Sequence, residues 1–546
     1  MKKHFLILST TTLIFTLLFT ACKSKKTNTI GRYIPTNASM IFHLDGESMV
    51  SKMPWEDMKK NTAFLEMYKD TSISNFTKTI MDNPENSGVN VKGDLVAFSV
   101  KDSINSYFSI QGKITDEAKF KKLLVEANKN ATETTKDGYT FSVSENASVA
   151  YNKDRFIATM PDKTTGIGTI GVDSAVMAEP VVDLNKINET IIALAEDKSM
   201  AKNDKFSKLL TEKGDAHFWI DAKNLNNGLE NNPAMAALAG MNKLIEGAVT
   251  TGTINFENGK INIDAKSYGG AELTDLYKKY NGDNFNKEMI NNIPSKNLAA
   301  VFTFNFKPEG IKAFLKLLAL DGVVNIGTAQ YGFTLDDFIK GNKGDIMIAV
   351  TDLKAGVSAL DFSTNYIFAA SINDKPSFNK LVDAGRKAGA PFGKAMPALE
   401  KINFNANDKY FALSSNQAFT DGYLAGKANS NFDFISKIPN GSMAGFVNLQ
   451  YVLANTNSST TDTLSLQEHN LNMKMWDNVI ISGGNFKDDG LTQHWEINMM
   501  DKNTNSLKQL NTYSDEMSKI NIKKTALQST AWKNEDVLAP VAKKNK

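Results

Sequence analysis

Five landmarks recur in one order along the 546-residue chain, and their spacing constrains the fold more than any other feature. Ile34-Pro35 before the strand-like Met40-Ile41-Phe42-His43-Leu44-Asp45 returns as Ile293-Pro294 before Leu298-Ala299-Ala300-Val301-Phe302-Thr303-Phe304. Lys92-Gly93-Asp94 before Leu95-Val96-Ala97-Phe98 returns as Lys343-Gly344-Asp345 before Ile346-Met347-Ile348-Ala349. Thr115-Asp116, then Phe120, Leu123 and Leu124, returns as Asn373-Asp374, then Phe378, Leu381 and Val382. Asp154-Arg155-Phe156-Ile157-Ala158 returns as Asp408-Lys409-Tyr410-Phe411-Ala412, and Asn255-Phe256 as Asn485-Phe486. The offsets are 259, 251, 258, 254 and 230, so the second copy is shorter by a deletion between Ala412 and Asn485. Repetition of this kind predicts two tandem units, residues 31–285 and 286–524. A third Ile-Pro, Ile438-Pro439 before Met443 to Val447, with Gly214 to Ile220 as its counterpart, suggests two half-units in each.

The repeated residues have physical jobs. Proline before a strand fixes φ at a position that needs no ladder donor. Gly-Asp before an apolar run is turn chemistry. Thr115 and Asn373 are candidate helix caps, with Asp116 and Asp374 favourable at the positive end of the helix. Phe120, Leu123 and Leu124 fall on one helical face, as do Phe378, Leu381 and Val382. Asp137-Gly138, Asn258-Gly259 and Asp489-Gly490 punctuate alternating runs and predict hairpins. Strand, helix, then hairpins, twice over, predicts an α+β fold of antiparallel sheets with helices packed on one face. Further helices are expected at Trp55–Tyr68, Asp183–Ala195, Pro233–Ile245 and Pro308–Leu320. Asn455 to Asn470 reads as a loop, and residues 525–546 lose periodicity and read as a loose tail.

The N-terminus carries an address. Lys2, Lys3 and His4 precede an uncharged, mostly apolar run from Phe5 to Phe19, too short to span a bilayer as a helix. Leu18-Phe19-Thr20-Ala21-Cys22 follows and holds the chain's single cysteine. It resembles a bacterial lipoprotein signal, with Phe19 where the lipobox has an aliphatic residue. The resemblance implies removal of residues 1–21, a diacylglycerol thioether on Cys22 and acylation of the new amino group. Several acyl chains anchor a protein stably, at about 0.8 kcal/mol per buried methylene. Residues 22–30 then form a polar leash. Its Lys23, Lys25 and Lys26 contrast with the acidic leash of surface-exported Bacteroidota lipoproteins, which by analogy favours the periplasmic side of the outer membrane. With Lys2 and Lys3 removed, the 62 basic residues fall to 60, balancing 60 acidic ones. A neutral body makes no electrostatic claim on nucleic acid.

Catalytic motifs need particular residues at particular spacings, and few are present. There is no His-Glu-x-x-His, cysteine pair, Gly-x-Ser-x-Gly elbow or Walker loop. The mature histidines are His43, His217, His469 and His494, none at chelating spacing from another; His43 and His217 sit in strand-like runs and read as structural or surface histidines ahead of a ligand or base. Gly166-Ile167-Gly168-Thr169-Ile170-Gly171 satisfies the dinucleotide pattern but lacks the strand entry and helix exit that hold a pyrophosphate, so it reads as a loop. The acidic pairs Glu56-Asp57, Asp116-Glu117, Asp336-Asp337 and Asp488-Asp489 read as caps and turns. A glycosidase would need two carboxyls from different segments. Trp55, Trp219, Trp476 and Trp495 read as packing residues ahead of a sugar- or lipid-contacting surface. Asp102-Ser103-Ile104, Asp173-Ser174-Ala175 and Asp462-Thr463-Leu464 resemble the O-glycosylation sequon of Bacteroidota envelope proteins. No catalytic, metal or cofactor residue is assigned; Cys22 is assigned as the lipidation site.

The Cys22 lipobox, Gly31-Arg32-Tyr33-Ile34-Pro35-Thr36-Asn37-Ala38 and the Lys92-Gly93-Asp94 block together resemble domain of unknown function 4836, a family of Bacteroidota lipoproteins. The resemblance implies an envelope lipoprotein and supplies no activity, cofactor or catalytic residue. The expectation is therefore a lipid-anchored binding or scaffold protein, leaning away from catalysis, with an envelope protein or polymer as partner. The alternatives are a carrier of a lipid or other apolar ligand, and a hydrolase of envelope glycan that uses carboxylates from different segments.

Overall fold

The computed structural model describes residues 28–71, 73–101, 106–162, 182–225, 244–353, 364–395, 403–426, 428, 430–456 and 462–538. Residues 1–21, Cys22, Gly166 to Gly171, residues 233–243 of the Pro233–Ile245 segment and the sequons at Ser103 and Ser174 lie outside them.

Ten strands come from the N-terminal half: β1 (Met40–Leu44), β2 (Leu95–Val100), β3 (Tyr107–Lys113), β4 (Thr132–Lys136), β5 (Tyr139–Val143), β6 (Ser148–Tyr151), β7 (Arg155–Pro161), β8 (Ala216–Asp221), β9 (Val249–Glu257) and β10 (Lys260–Tyr268). Eight come from the C-terminal half: β11 (Leu298–Asn305), β12 (Asn342–Thr351), β13 (Asn365–Ile372), β14 (Asn403–Ala406), β15 (Tyr410–Ser414), β16 (Met443–Asn448), β17 (Trp476–Lys487) and β18 (Gly490–Met499). All pair antiparallel into one sheet. The N-terminal half runs β4-β5-β6-β7-β3-β2-β1-β8-β9-β10 in space. At β10 it joins β18, and the C-terminal half runs on as β18-β17-β16-β11-β12-β13-β15-β14. From β7 to β10 and from β15 to β18 the two halves follow the same path, and the landmarks fall on corresponding strands. The fold is α+β.

Alternation along each strand builds two cores on one face of the sheet. Ile41, Phe98, Ile157 and Trp219 pack against Ile191, Phe206 and Leu209 of the helices Leu184–Ile192 and Asp204–Leu209. Val301, Met347, Ile367, Ala412 and Ile480 pack against Met289, Ile290, Tyr423 and Phe434. Phe434 stacks on Phe446 at 4.1 Å.

Helices also cover parts of the opposite face, which corrects the expectation of one-sided packing. Phe120, Leu123 and Leu124 of the helix Glu117–Ala127 meet Ile110, Phe156 and Ala158. Phe378, Leu381 and Val382 of the helix Lys375–Ala395 meet Phe368, Ala370 and Phe411. Leu510 and Tyr513 of the helix Ser506–Leu538 meet Ile254, Ile261, Ile263 and Ile497. Both sheet faces are apolar, so both recruit helices.

Local details shift as well. The caps are Asp116 and Asp374, one residue beyond Thr115 and Asn373, accepting from the amides of Lys119 and Ser377. The Trp55–Tyr68 segment is two helices, Trp55–Met58 and Thr62–Lys69, because Asn61 caps a new start by accepting from Ala63. Asn455 to Asn470 includes most of the helix Thr463–Met475, started by Asp462 at the Ser465 amide. The Ser506–Leu538 helix runs through Thr525, with its first turns docked on the sheet and good helix formers beyond. The last hairpin turns on Asp488-Asp489, both at positive φ (49° and 59°), with Gly490 opening the strand.

Candidate functional site

On the second face one apolar row crosses eight strands, its two ends under helices and its middle, from Trp495 to Ile348, open. Ile254, Ile263, Trp495, Ile481, Gly445, Phe302, Ile348 and Phe368 are each paired directly with the next. Seven strand spacings of about 4.8 Å make this row roughly 34 Å long. Trp495 and Phe302 are 37% exposed and Ile348 49%. In the N-terminal half Met40 and Phe42 are similarly exposed on the same face, paired with Ile220 and Phe218. No ionisable side chain interrupts the row. At Gly445 a Cβ would come within 3.2 Å of Phe302 and 3.3 Å of Ile481, so glycine lets these two large side chains lie on either side of it. Contiguous apolar surface of this kind marks an interaction site rather than ordinary scatter.

The first face carries the titratable groups. His43 on β1 and His217 on β8, placed 174 residues apart, are in register, with their Nδ1 atoms 3.0 Å apart. Both are buried. Only one of the two nitrogens can carry the shared hydrogen, so the pair cannot be doubly protonated without setting two N–H groups against each other. His43 Nε2 lies 3.0 Å from Asp94 Oδ1 and His217 Nε2 2.9 Å from the Glu212 carbonyl. Burial lowers the His217 pKa, and the His43 hydrogen bond lowers that of Asp94. The second Lys-Gly-Asp does the equivalent job: Asp345 accepts from Asn305 Nδ2 of β11 at 2.7 Å. This explains the aspartate of the repeated block as a tie between neighbouring strands. Nearby, buried Asp215 accepts from Lys52, from the Ser48 hydroxyl and from the Phe256 amide. Burial would raise its pKa, and those three donors together bring it below the usual carboxylate value.

The third polar place lies at the β10–β18 seam, between the two cores. Asp264, His494 and Ser482 stand in one cross-strand row on β10, β18 and β17. His494 Nδ1 is 2.7 Å from Asp264 Oδ1, and this hydrogen bond raises the His494 pKa. The row opens on a cleft of about 330 Å³, also lined by Glu212, Lys266, Asn440 and Thr492.

The other residues singled out in the sequence do not converge. His469 lies on the Thr463–Met475 helix. Glu56-Asp57 and Asp336-Asp337 sit in first helical turns, Asp116 is a cap and Asp488-Asp489 a hairpin turn. Trp219 is buried and the Trp55 indole donates to the Met81 carbonyl, whereas Trp495 is on the apolar row. Among the described residues no three His, Cys, Asp or Glu could hold a metal, and no helix is long and apolar enough to cross a membrane. Sequence reasoning missed Asp264 and Ser482. A signal for the first existed: Asp264 and His494 are 230 residues apart, the offset that relates Asn255 to Asn485.

The family model described as Domain of unknown function (DUF4836) matches residues 31–416. The chain belongs to this family. Among solved structures, crystal form I of TP0453 is similar at a TM-score of 0.24 and 9% identity, covering 45% of this chain and 81% of that one. Crystal form IV of TP0453 gives 0.25 and 11%, covering 47% and 87%. A search of curated proteins finds no match. The family description assigns no chemistry to its members, so function must be argued from the faces of the sheet.

Proposed function

We propose that this family member is an envelope lipoprotein, anchored through acyl chains on Cys22 and facing the periplasm from the outer membrane, that carries an acyl chain on the apolar face of its sheet. The apolar row, half-exposed at Trp495, Phe302 and Ile348, carries this reading. An acyl chain makes no hydrogen bonds, and a row without ionisable groups offers none. The row is long enough for an extended chain to lie across several strands, and a lipid anchor keeps the protein beside a source of such chains. We read the two like-connected halves as copies of one unit, whose joining at β10–β18 makes one face continuous where each copy alone would end. A docked protein would be expected to meet polar groups along the margins of its contact.

Trp495, in the middle of the row, is the reporter. A fatty acid brominated along its chain quenches indoles that it touches. Titrating it into the mature protein should quench Trp495 fluorescence saturably, and Trp495→Phe should remove that component while leaving the signal of buried Trp219. Equal quenching in the two proteins, or none in the wild type, would refute the proposal.

A further inference from the structure

The seam carries a second chemistry that does not depend on the apolar face. His494 has committed Nδ1 to Asp264, at 2.7 Å, which leaves Nε2 as the free nitrogen of the ring. Directly across the ladder stands Ser482, only 3% exposed, whose hydroxyl makes no hydrogen bond among the described residues although it lines the cleft. Directly opposed residues of an antiparallel pair have Cβ atoms about 4.5–5.5 Å apart, within reach of a serine–imidazole contact. Two residues further on, Gly484 and Asn485 leave the ladder with β18 as a bulge at the cleft wall.

A hydroxyl on the cleft wall with no protein partner is open to whatever the cleft binds. Serine, an imidazole free at one nitrogen, and a carboxylate on the other nitrogen form a constellation recognised by its roles rather than by sequence order. Here the order along the chain is Asp264, Ser482, His494, and three adjacent strands hold the row rigid.

We propose that Ser482, His494 and Asp264 form a serine nucleophile, its general base and the group that orients that base, acting on short-chain acyl esters in the seam cleft. Ser482 Oγ attacks the ester carbonyl while its proton passes to His494 Nε2. The tetrahedral intermediate, met by backbone amides of the Gly484–Asn485 bulge, expels the alcohol, which leaves with that proton. Water, deprotonated by the same nitrogen, then attacks the acyl-serine and releases the acid. No oxidant, metal or cofactor enters. The volume of the cleft suits an acetyl-sized group on a polar alcohol.

The test is labelling of the mature protein with a fluorophosphonate probe, mapping of the adduct by mass spectrometry, and hydrolysis of p-nitrophenyl acetate. The adduct should fall on Ser482 and vanish in Ser482→Ala. In His494→Gln labelling and hydrolysis should slow roughly a hundredfold or more. In Asp264→Asn they should slow with a shifted pH profile, which a purely structural role would not produce. Absence of an adduct on Ser482, or wild-type labelling rates in folded His494→Gln, would overturn the assignment. Should the variants fail to fold, the wild-type labelling rate decides. A rate that follows the titration of one imidazole supports the triad, and a flat one overturns it.

Discussion

Placing a carboxylate in the apolar row by Ile348→Asp separates what the row does for folding from what it does for binding. Ile348 is 49% exposed, so about half of its side chain already packs against the sheet. A fully buried isoleucine contributes about 1.5–3 kcal/mol, so the substitution should cost the fold about 1 kcal/mol. The other half is buried only when an acyl chain lies over it, a further loss of about 1 kcal/mol from binding. Covering the new carboxylate adds a desolvation penalty of several kcal/mol. The total in binding exceeds about 3 kcal/mol, which is more than a hundredfold in Kd. Urea denaturation reads the first quantity, and quenching of Trp495 by a brominated acyl chain reads the second. Ile522→Asp is the control, since Ile522 is equally exposed but lies on the Ser506–Leu538 helix, outside the row. The reasoning fails if Ile348→Asp binds as tightly as the wild type, or if Ile522→Asp weakens binding as much.

Three further outcomes follow from the polar face. Asp215→Asn should destabilise the protein by about 3 kcal/mol in urea denaturation, because it strands Lys52 beside a neutral group. Asp215 is held below its usual pKa, so its contribution is present above about pH 4 and lost as pH falls through the folded value; the Asn variant should therefore approach the wild type in acid. His494 is raised by Asp264, so its stabilisation is complete below about pH 6.5 and lost as pH rises through the folded value. The melting temperature of His494→Gln should thus lag the wild type at about pH 5.5 and converge on it in alkali. His217 has the opposite sign: burial lowers it, so its contribution is present above about pH 6.5 and lost on acidification, and His217→Gln should flatten the acid limb of the stability profile.

Strand content, hairpins and the order of elements were legible because they rest on local chemistry. Asp137-Gly138 turns where an αL pair is needed, and the Phe120 and Phe378 stripes mark helices that dock where their spacing says. The place where two distant strands meet has no local signature. Nothing near Ile263 announces Trp495 as its neighbour, so one apolar row appears in the sequence as separate alternating strands. Alternation also could not say that both faces would be apolar, since Met40 to Leu44 carries large apolar side chains at odd and even positions alike. His43 and His217 were each readable as strand residues, structural or surface, but their burial and their contact depend on β8 returning to β1 across 174 residues. The last hairpin stands where Asp489-Gly490 predicted it, one residue displaced: Asp488 and Asp489 carry the positive φ and Gly490 opens the strand.

The seam joins these observations through register. Consecutive residues of β18 serve opposite faces: His494 and Glu496 point to the polar side, Trp495 and Ile497 to the apolar one. A slip of one residue against β10 would exchange the sets, placing an imidazole and a carboxylate in the apolar row and an indole in the cleft. Apolar contacts alone resist this weakly, because Ile261, Ile263, Ile497 and Trp495 could regroup with little loss. The charged contacts cannot. His494 pairs with Asp264 directly across the ladder at 2.7 Å, and Glu496, opposite Asn262, reaches diagonally to Lys260 at 2.7 Å; a slip of one residue would break both contacts. The burial of Glu496 is offset by Lys260 and Asn498, which hold its pKa below the usual value, so the diagonal pair is charged at neutral pH. The residues proposed for chemistry in the cleft therefore also keep the apolar face continuous between the halves. Replacing both charged pairs at once should loosen binding on the opposite face even though no residue of the row is touched.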